Sequence, residues 1–146
     1  MIAHSDFIYC TPSTYLLTPF SSLGLVTEGG SSTTFVQRLG LAKANEVLIL
    51  SKRIGAEELL RSGFVHQILA AEDFHEQVLA KVLGDFGDHL NSDSLLQIKA
   101  LIRRPAREMN DRVNVEEVMG GLARFEAGIP QEEFRKLSSG EKKHKL

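Results

Sequence analysis

The rhythm of apolar and polar residues changes once along this chain, near residue 72. Before it, apolar stretches are short and separated by glycine and proline. Asp6-Phe7-Ile8-Tyr9-Cys10 reads as a short strand with no earlier segment to pair with, Thr11 to Thr14 as a turn, and Tyr15-Leu16-Leu17 as a second strand. Thr18 to Gly24 is loop-like. Gly30 to Leu39 reads as a helix stopped by Gly40, and Ala42 to Leu50 as another carrying Ala44, Val47, Leu48 and Leu50. Ala56 to Ser62 is a short helix with Gly63 as its C-terminal cap. Phe64 to Leu69 alternates apolar and polar, the period of a strand.

After residue 72 the pattern is helical throughout. Asp73 followed by Glu76 resembles a capping box. Val78, Leu79, Val82, Leu83 and Phe86 form one apolar stripe, and Leu95, Ile98, Leu101 and Ile102 a second. Arg103-Arg104-Pro105 is expected to end that second helix, with Pro105 in the first turn of the next. Val115, Val118, Met119 and Leu122 form a third stripe, ending near Gly128 and Pro130. The expected organisation is a mixed core over residues 1–72, packing helices over 73–137, and a solvated, mobile cationic tail over 138–146.

Composition narrows the class. Of 146 residues, 17 are Lys or Arg and 19 Asp or Glu, so no cationic excess exists to hold a phosphate backbone, which argues against nucleic acid. The longest apolar runs, such as Val47 to Leu50, fall far short of the ~20 residues a membrane helix needs. Cys10 has no partner for an internal disulfide, which suits a reducing compartment. Met1-Ile2-Ala3 meets polar residues at once, so no secretory leader is expected.

Few residues suggest chemistry. His4, His66, His75, His89 and His144 are not paired at metal-ligand spacing, so no metal site is expected. Cys10 lies in an apolar strand and reads as packing rather than as a nucleophile. Lys99, Arg103, Arg104 and Arg107 form a basic cluster, read as a solvated face or a seat for an anion such as a phosphate. Glu28 stands out. It follows Leu25-Val26 and precedes Gly29-Gly30 at a helix start. A capping role is the ordinary reading there. The catalytic reading is that two glycines admit a ligand to the backbone while a partly buried carboxylate moves a proton.

These residues resemble the crotonase (enoyl-CoA hydratase/isomerase) superfamily, most closely its peroxisomal Δ3,Δ2-enoyl-CoA isomerase branch. The resemblance is carried by Ser5 to Tyr9, by Thr18-Pro19-Phe20-Ser21-Ser22-Leu23-Gly24-Leu25-Val26-Thr27-Glu28-Gly29-Gly30-Ser31-Ser32, by Ala42 to Glu46, and by Ile54 to Val65. It implies an α/β fold, the C-terminal half of a crotonase-like ββα spiral followed by a helical region. The family's hydratases place a second glutamate in a Pro-Glu dipeptide; here that position reads Pro19-Phe20, and Phe20 transfers no proton. The isomerases place one glutamate just before Gly-Gly, which here is Glu28.

The resemblance therefore implies that Glu28 is the catalytic base, taking a proton from C2 of a 3-enoyl-CoA and returning it at C4 to give 2-trans-enoyl-CoA. Phe20, Leu23, Leu25, Val26 and Gly29 are the expected substrate-binding residues, and an apolar lining would strengthen the base. No cofactor is implied, because CoA belongs to the substrate. The family's oxyanion donors lie on the half preceding Asp6, so this chain is expected to bring the base without them. It is accordingly expected to expose apolar surface between Asp6 and Leu17. Family resemblance also implies a homo-oligomer, a trimer. The alternatives are a non-catalytic truncated paralogue assembling with full-length relatives, or a family member in specialised metabolite synthesis. His144-Lys145-Leu146 is similar to the Ser-Lys-Leu peroxisomal address, so an import receptor is an expected partner and the peroxisome the expected location.

Overall fold

The computed structural model describes residues 2–143. The N-terminal body holds four two-residue strands: β1 (Tyr9–Cys10), β2 (Tyr15–Leu16), β3 (Ile54–Gly55) and β4 (Gln67–Ile68). Three helices accompany them: α1 (Ser31–Leu39), α2 (Leu41–Leu48) and α3 (Ala56–Arg61). β1 pairs in parallel with β4, Tyr9 opposite Gln67, and β2 antiparallel with β3, Tyr15 opposite Gly55. A parallel pair needs a crossover, and here α1 to α3 supply it. β1 thus finds its partner downstream.

All residues of the buried apolar cluster lie between Ala3 and Val65. Val47 and Phe64 sit at its centre, and Phe35 meets Phe64 edge-on with ring centroids 5.5 Å apart. The alternating segment 64–69 pairs only in its second half. Gly63 adopts a left-handed φ of 78°, which turns Phe64 and Val65 back so that both amides bond the Leu59 carbonyl. The ladder then begins as the His66 amide donates to the Ile8 carbonyl at 2.8 Å.

Beyond Ile68 lie α4 (Phe74–Asp85), α5 (Ser92–Glu126) and α6 (Ile129–Ser138). Two expectations fail here. Asp73 does not cap α4: its φ of 51° is left-handed and its side chain makes no cap hydrogen bond. Gln77 secures the start instead, its side-chain Nε2 donating to the Glu72 carbonyl at 2.5 Å. Pro105 does not break the second helix, which runs unbroken through it. A proline inside a helix costs ~3 kcal/mol through a lost bond and a steric clash. Pro105 lies on the exposed side, where water can solvate the freed Leu101 carbonyl, and anchors on both sides of it tie α5 to the same body.

Those anchors define which face of α5 docks. Arg103, Asn110, Glu117 and Arg124 recur every seven residues, and each bonds the N-terminal body. Ala106, Val113 and Gly120 lie between them on the same side, less exposed than their neighbours. The apolar stripes point away: Leu101, Val118, Met119 and Leu122 are each at least half exposed. The surface exposed is 9727 Å², against about 7,500 Å² for a compact monomer of this mass. The surplus expected between Asp6 and Leu17 is thus found mainly on α4 and α5. In the expected segment Ile8 and Cys10 are buried, and only Phe7 and Tyr15 are half exposed.

The tail is less free than its composition suggests. Lys142 bonds the Ser22 carbonyl and pairs with Glu133, whose carboxyl Lys142 and Lys136 hold down at about 2. Arg135 joins Glu141 at 2.8 Å. The triplet His144 to Leu146 lies outside the described residues.

Half of the basic cluster is consumed internally. Lys99 and Arg103 reach the two oxygens of Asp6 at 2.5 and 2.6 Å, while Arg104 and Arg107 face solvent. Hydrogen bonds from Lys99 and Arg103 hold the Asp6 carboxyl below its ordinary value, so its contribution to stability is present above about pH 4 and lost as pH falls through the lowered value. Asp6→Asn is expected to lower the thermal midpoint at pH 7. The gap between variant and parent should close as the pH drops below about 4; a pH-independent gap in melting curves would show that charge is not the cause.

Candidate active site

The segment from Thr18 to Ser32 carries every residue expected to bind substrate or move a proton, and it is tied down from several sides. Thr18 Oγ1 donates to the Val47 carbonyl, and Ser21 Oγ donates to the Ile49 carbonyl and accepts from Ser51 Oγ at 2.9 Å. Ser21 to Leu23 form one turn of 3-10 helix, closed when the Leu25 amide donates to the Phe20 carbonyl at 2.8 Å. Gly24 follows with φ 71°. A Cβ there would lie 2.8 Å from Ile129 Cγ2, so backbone and packing both select glycine. Arg124 Nε donates to the Gly24 carbonyl at 2.9 Å, so α5 and α6 both press on this bend.

Phe20 packs against the main core, Leu23, Leu25 and Val26 are half-buried, and Val26 Cγ2 lies 3.5 Å from where a Cβ on Gly120 would stand. Glu28 and Gly29 are exposed. The expectation of a partly buried Glu28 is therefore corrected. Gly29 and Gly30 take successive left-handed φ values of 65° and 72°, which swing the chain outward before α1 begins.

Pins surround Glu28 without touching its carboxylate. Its amide donates to Ser31 Oγ at 3.2 Å and its carbonyl accepts from the Ser31 amide at 3.2 Å. His4 Nε2 lies 2.8 Å from the Gly29 carbonyl. Thr34 Oγ1 donates to the Gly30 carbonyl at 2.9 Å, and Thr33 Oγ1 lies 3.0 Å from the same oxygen. Among the described residues the Glu28 carboxylate has no hydrogen bond and no ion pair, so it is neither cap nor salt-bridge partner.

The cap comes from α5. Glu117 is the one buried charged side chain among the described residues, 7% exposed. Its Oε2 accepts from the Gly30 amide at 2.7 Å and its Oε1 from the Ser32 amide at 2.9 Å. This satisfies donors that a helix N-terminus leaves without partners, and puts a negative charge at the positive end of α1. Ser31 to Thr34 are weak helix formers, so the start of α1 leans on this outside acceptor. Sequence reasoning missed Glu117. The signal was the seven-residue polar spacing on α5, hidden by the expected break at Pro105.

Other candidates fall away. Cys10 is buried and its thiol is pushed up by burial, which suits packing rather than nucleophilic attack. The His66 ring accepts from the Ile8 amide at 3.1 Å. Among the described residues no three metal-ligating side chains converge. A cavity of about 900 Å³ opens elsewhere, between α1, the end of α4 and the first half of α5, and none of the six predicted site residues lines it.

An exposed carboxylate, unpaired among the described residues, thus stands beside a double-glycine bend on an α/β core. The family model for enoyl-CoA hydratase/isomerase matches residues 1–142, and the chain belongs to that family. A Delta(3,5)-Delta(2,4)-dienoyl-CoA isomerase of Pyricularia oryzae is 54% identical across the whole chain, which covers 55% of that relative. A 3,2-trans-enoyl-CoA isomerase of Saccharomyces cerevisiae is 28% identical, also across the whole chain and over 54% of its own length. An enoyl-CoA hydratase/isomerase structure from Pseudoalteromonas atlantica T6c superposes with a TM-score of 0.90 at 23% identity, over 99% of this chain and 58% of that one. The fold is thus the crotonase-like one that the sequence implied. The chain spans about half the length of the curated relatives it matches.

The Gly24 bend tests whether this loop is held as described. Gly24→Ala combines a left-handed φ with a clash against Ile129, and is expected to destabilise by about 1–3 kcal/mol. Denaturant unfolding reads the loss; an unchanged midpoint would mean that the bend is not set by this packing.

Proposed function

We propose that this chain is the base-bearing half of an enoyl-CoA isomerase that shifts a 3-enoyl-CoA double bond to the 2-trans position. The observation that carries the reading is the Glu28 carboxylate, unpaired among the described residues, on a backbone pinned at both flanks. Glu28 takes a proton from C2, and the electron pair of the broken C–H bond delocalises into the thioester as a dienolate. The same carboxylic acid then protonates C4, leaving a conjugated C2=C3 bond. No water is added, so one carboxylate suffices, in keeping with Phe20 where a hydratase would carry its second. The dienolate oxygen needs preorganised donors, and by family resemblance these stand on the half that precedes Asp6. Phe20, Leu23, Leu25, Val26 and Gly29 are proposed to flank the acyl group.

The name of the 54% identical relative favours a second reading, in which the proton travels further, from C2 to C6 of a 3,5-dienoyl-CoA. The substrate is an acyl-CoA thioester in both. Assembly as a homo-oligomer, a trimer by resemblance, is proposed with support from the outward apolar stripe on α5.

The test supplies 3-enoyl-CoA and 3,5-dienoyl-CoA to the chain, alone and co-expressed with the front half of its 54% identical relative, and follows conjugated product. Glu28→Gln is expected to cut kcat by roughly 10²–10⁴ without lowering the thermal midpoint. Equal turnover in the variant would remove Glu28 from the reaction.

We propose further that His144-Lys145-Leu146 acts as a peroxisomal address, on the strength of its likeness to Ser-Lys-Leu. Appending residues 138–146 to a fluorescent reporter should move it into peroxisomes, and deleting Leu146 should return it to the cytosol. A reporter that stays cytosolic in both forms would contradict the address.

A further inference from the structure

We infer that Glu117 is a positioning residue for Glu28: by filling the amide cap of α1 it fixes the double-glycine bend and leaves Glu28 free for proton transfer. The inference rests on the reading of Glu28 as the base. Two carboxylates stand near one helix start. Glu28 lies two residues before Gly30, joined to the first turn through its own amide and carbonyl, while Glu117 arrives from more than eighty residues away. A helix N-terminus takes an acceptor wherever one is within reach, because unsatisfied amides are costly. With Glu117 in place the Gly30 and Ser32 amides are occupied at 2.7 and 2.9 Å, and Glu28 has nothing to cap.

The bend needs such a pin. Gly29 and Gly30 are both left-handed, a conformation open to glycine and also easily left by it. A glycine pair next to a general base would let it wander, and an error of about 1 Å in placing a reacting group can cost ~10²-fold in rate. Glu117 bonds Gly30 directly, and its neighbour on the same face, Asn110, accepts from Thr33 Oγ1 at 2.7 Å. The first turn of α1 is thereby fixed from α5 rather than by its own sequence.

The experiment compares Glu117→Ala, which removes the acceptor, with Glu117→Gln, which keeps one carbonyl oxygen. At a temperature where all proteins are folded, Glu117→Ala should lower kcat about 10–100-fold with KM changed less than about twofold. Glu117→Gln should recover most of the loss. A kcat within twofold of the parent in folded Glu117→Ala would overturn the inference. A second measurement needs no turnover. Glu28→Ala is expected to leave the thermal midpoint of the parent unchanged but to lower that of Glu117→Ala by about 2–4 °C, because Glu28 then serves as the substitute cap. An equal effect in both backgrounds would overturn the inference. Should the parent and Glu28→Gln turn over alike, the isomerase reading fails, and the thermal cycle still decides the role of Glu117.

Discussion

A carboxylate from the long helix satisfies the first amides of α1, and the geometry of the candidate site follows from that pairing. The α1 start is made of glycines and hydroxyl residues that do not nucleate a helix well by themselves. Glu117 closes it from outside, in a buried position where an unpaired charge would be expensive. The same contact fixes the last residue of the double-glycine bend, two positions from Glu28. Structural support and chemical opportunity thus meet in one bidentate hydrogen bond.

That pairing also explains the orientation of α5. An amphipathic helix ordinarily turns its apolar stripe to the core. Here the docking face is polar and small, with Arg103, Asn110, Glu117 and Arg124 reaching Asp6, Thr33, the α1 amides and the Gly24 carbonyl. These four anchoring side chains, spaced along one side, set which face of α5 meets the N-terminal body. The outward apolar side accounts for the surplus of exposed surface.

Much of this was legible before any coordinates. Glycines at 24, 30, 40 and 63 marked turns or helix ends that do occur, and all four have left-handed φ values. The core lies where the mixed pattern placed it, since apolar residues flanked by turns must be buried close by. Glu28 stood out as a candidate from its neighbours and, by the family resemblance, from the phenylalanine at the hydratase position. What stayed hidden depends on distance in sequence. Nothing local announces that Glu117 caps a helix starting at residue 31, or that Pro105 is tolerated because anchors on either side hold α5. The exposure of Glu28 was equally hidden, because it is set by two consecutive left-handed glycines rather than by hydrophobicity.

Amide hydrogen exchange on the unmodified chain tests the clamp most directly. If Glu117 holds the α1 start, the Gly30 and Ser32 amides exchange as slowly as those of Val47 and Leu48 in the core, while the Gly29 amide, one residue earlier, exchanges fast. Gly30 and Ser32 amides exchanging at the rate of Gly29 would contradict the account.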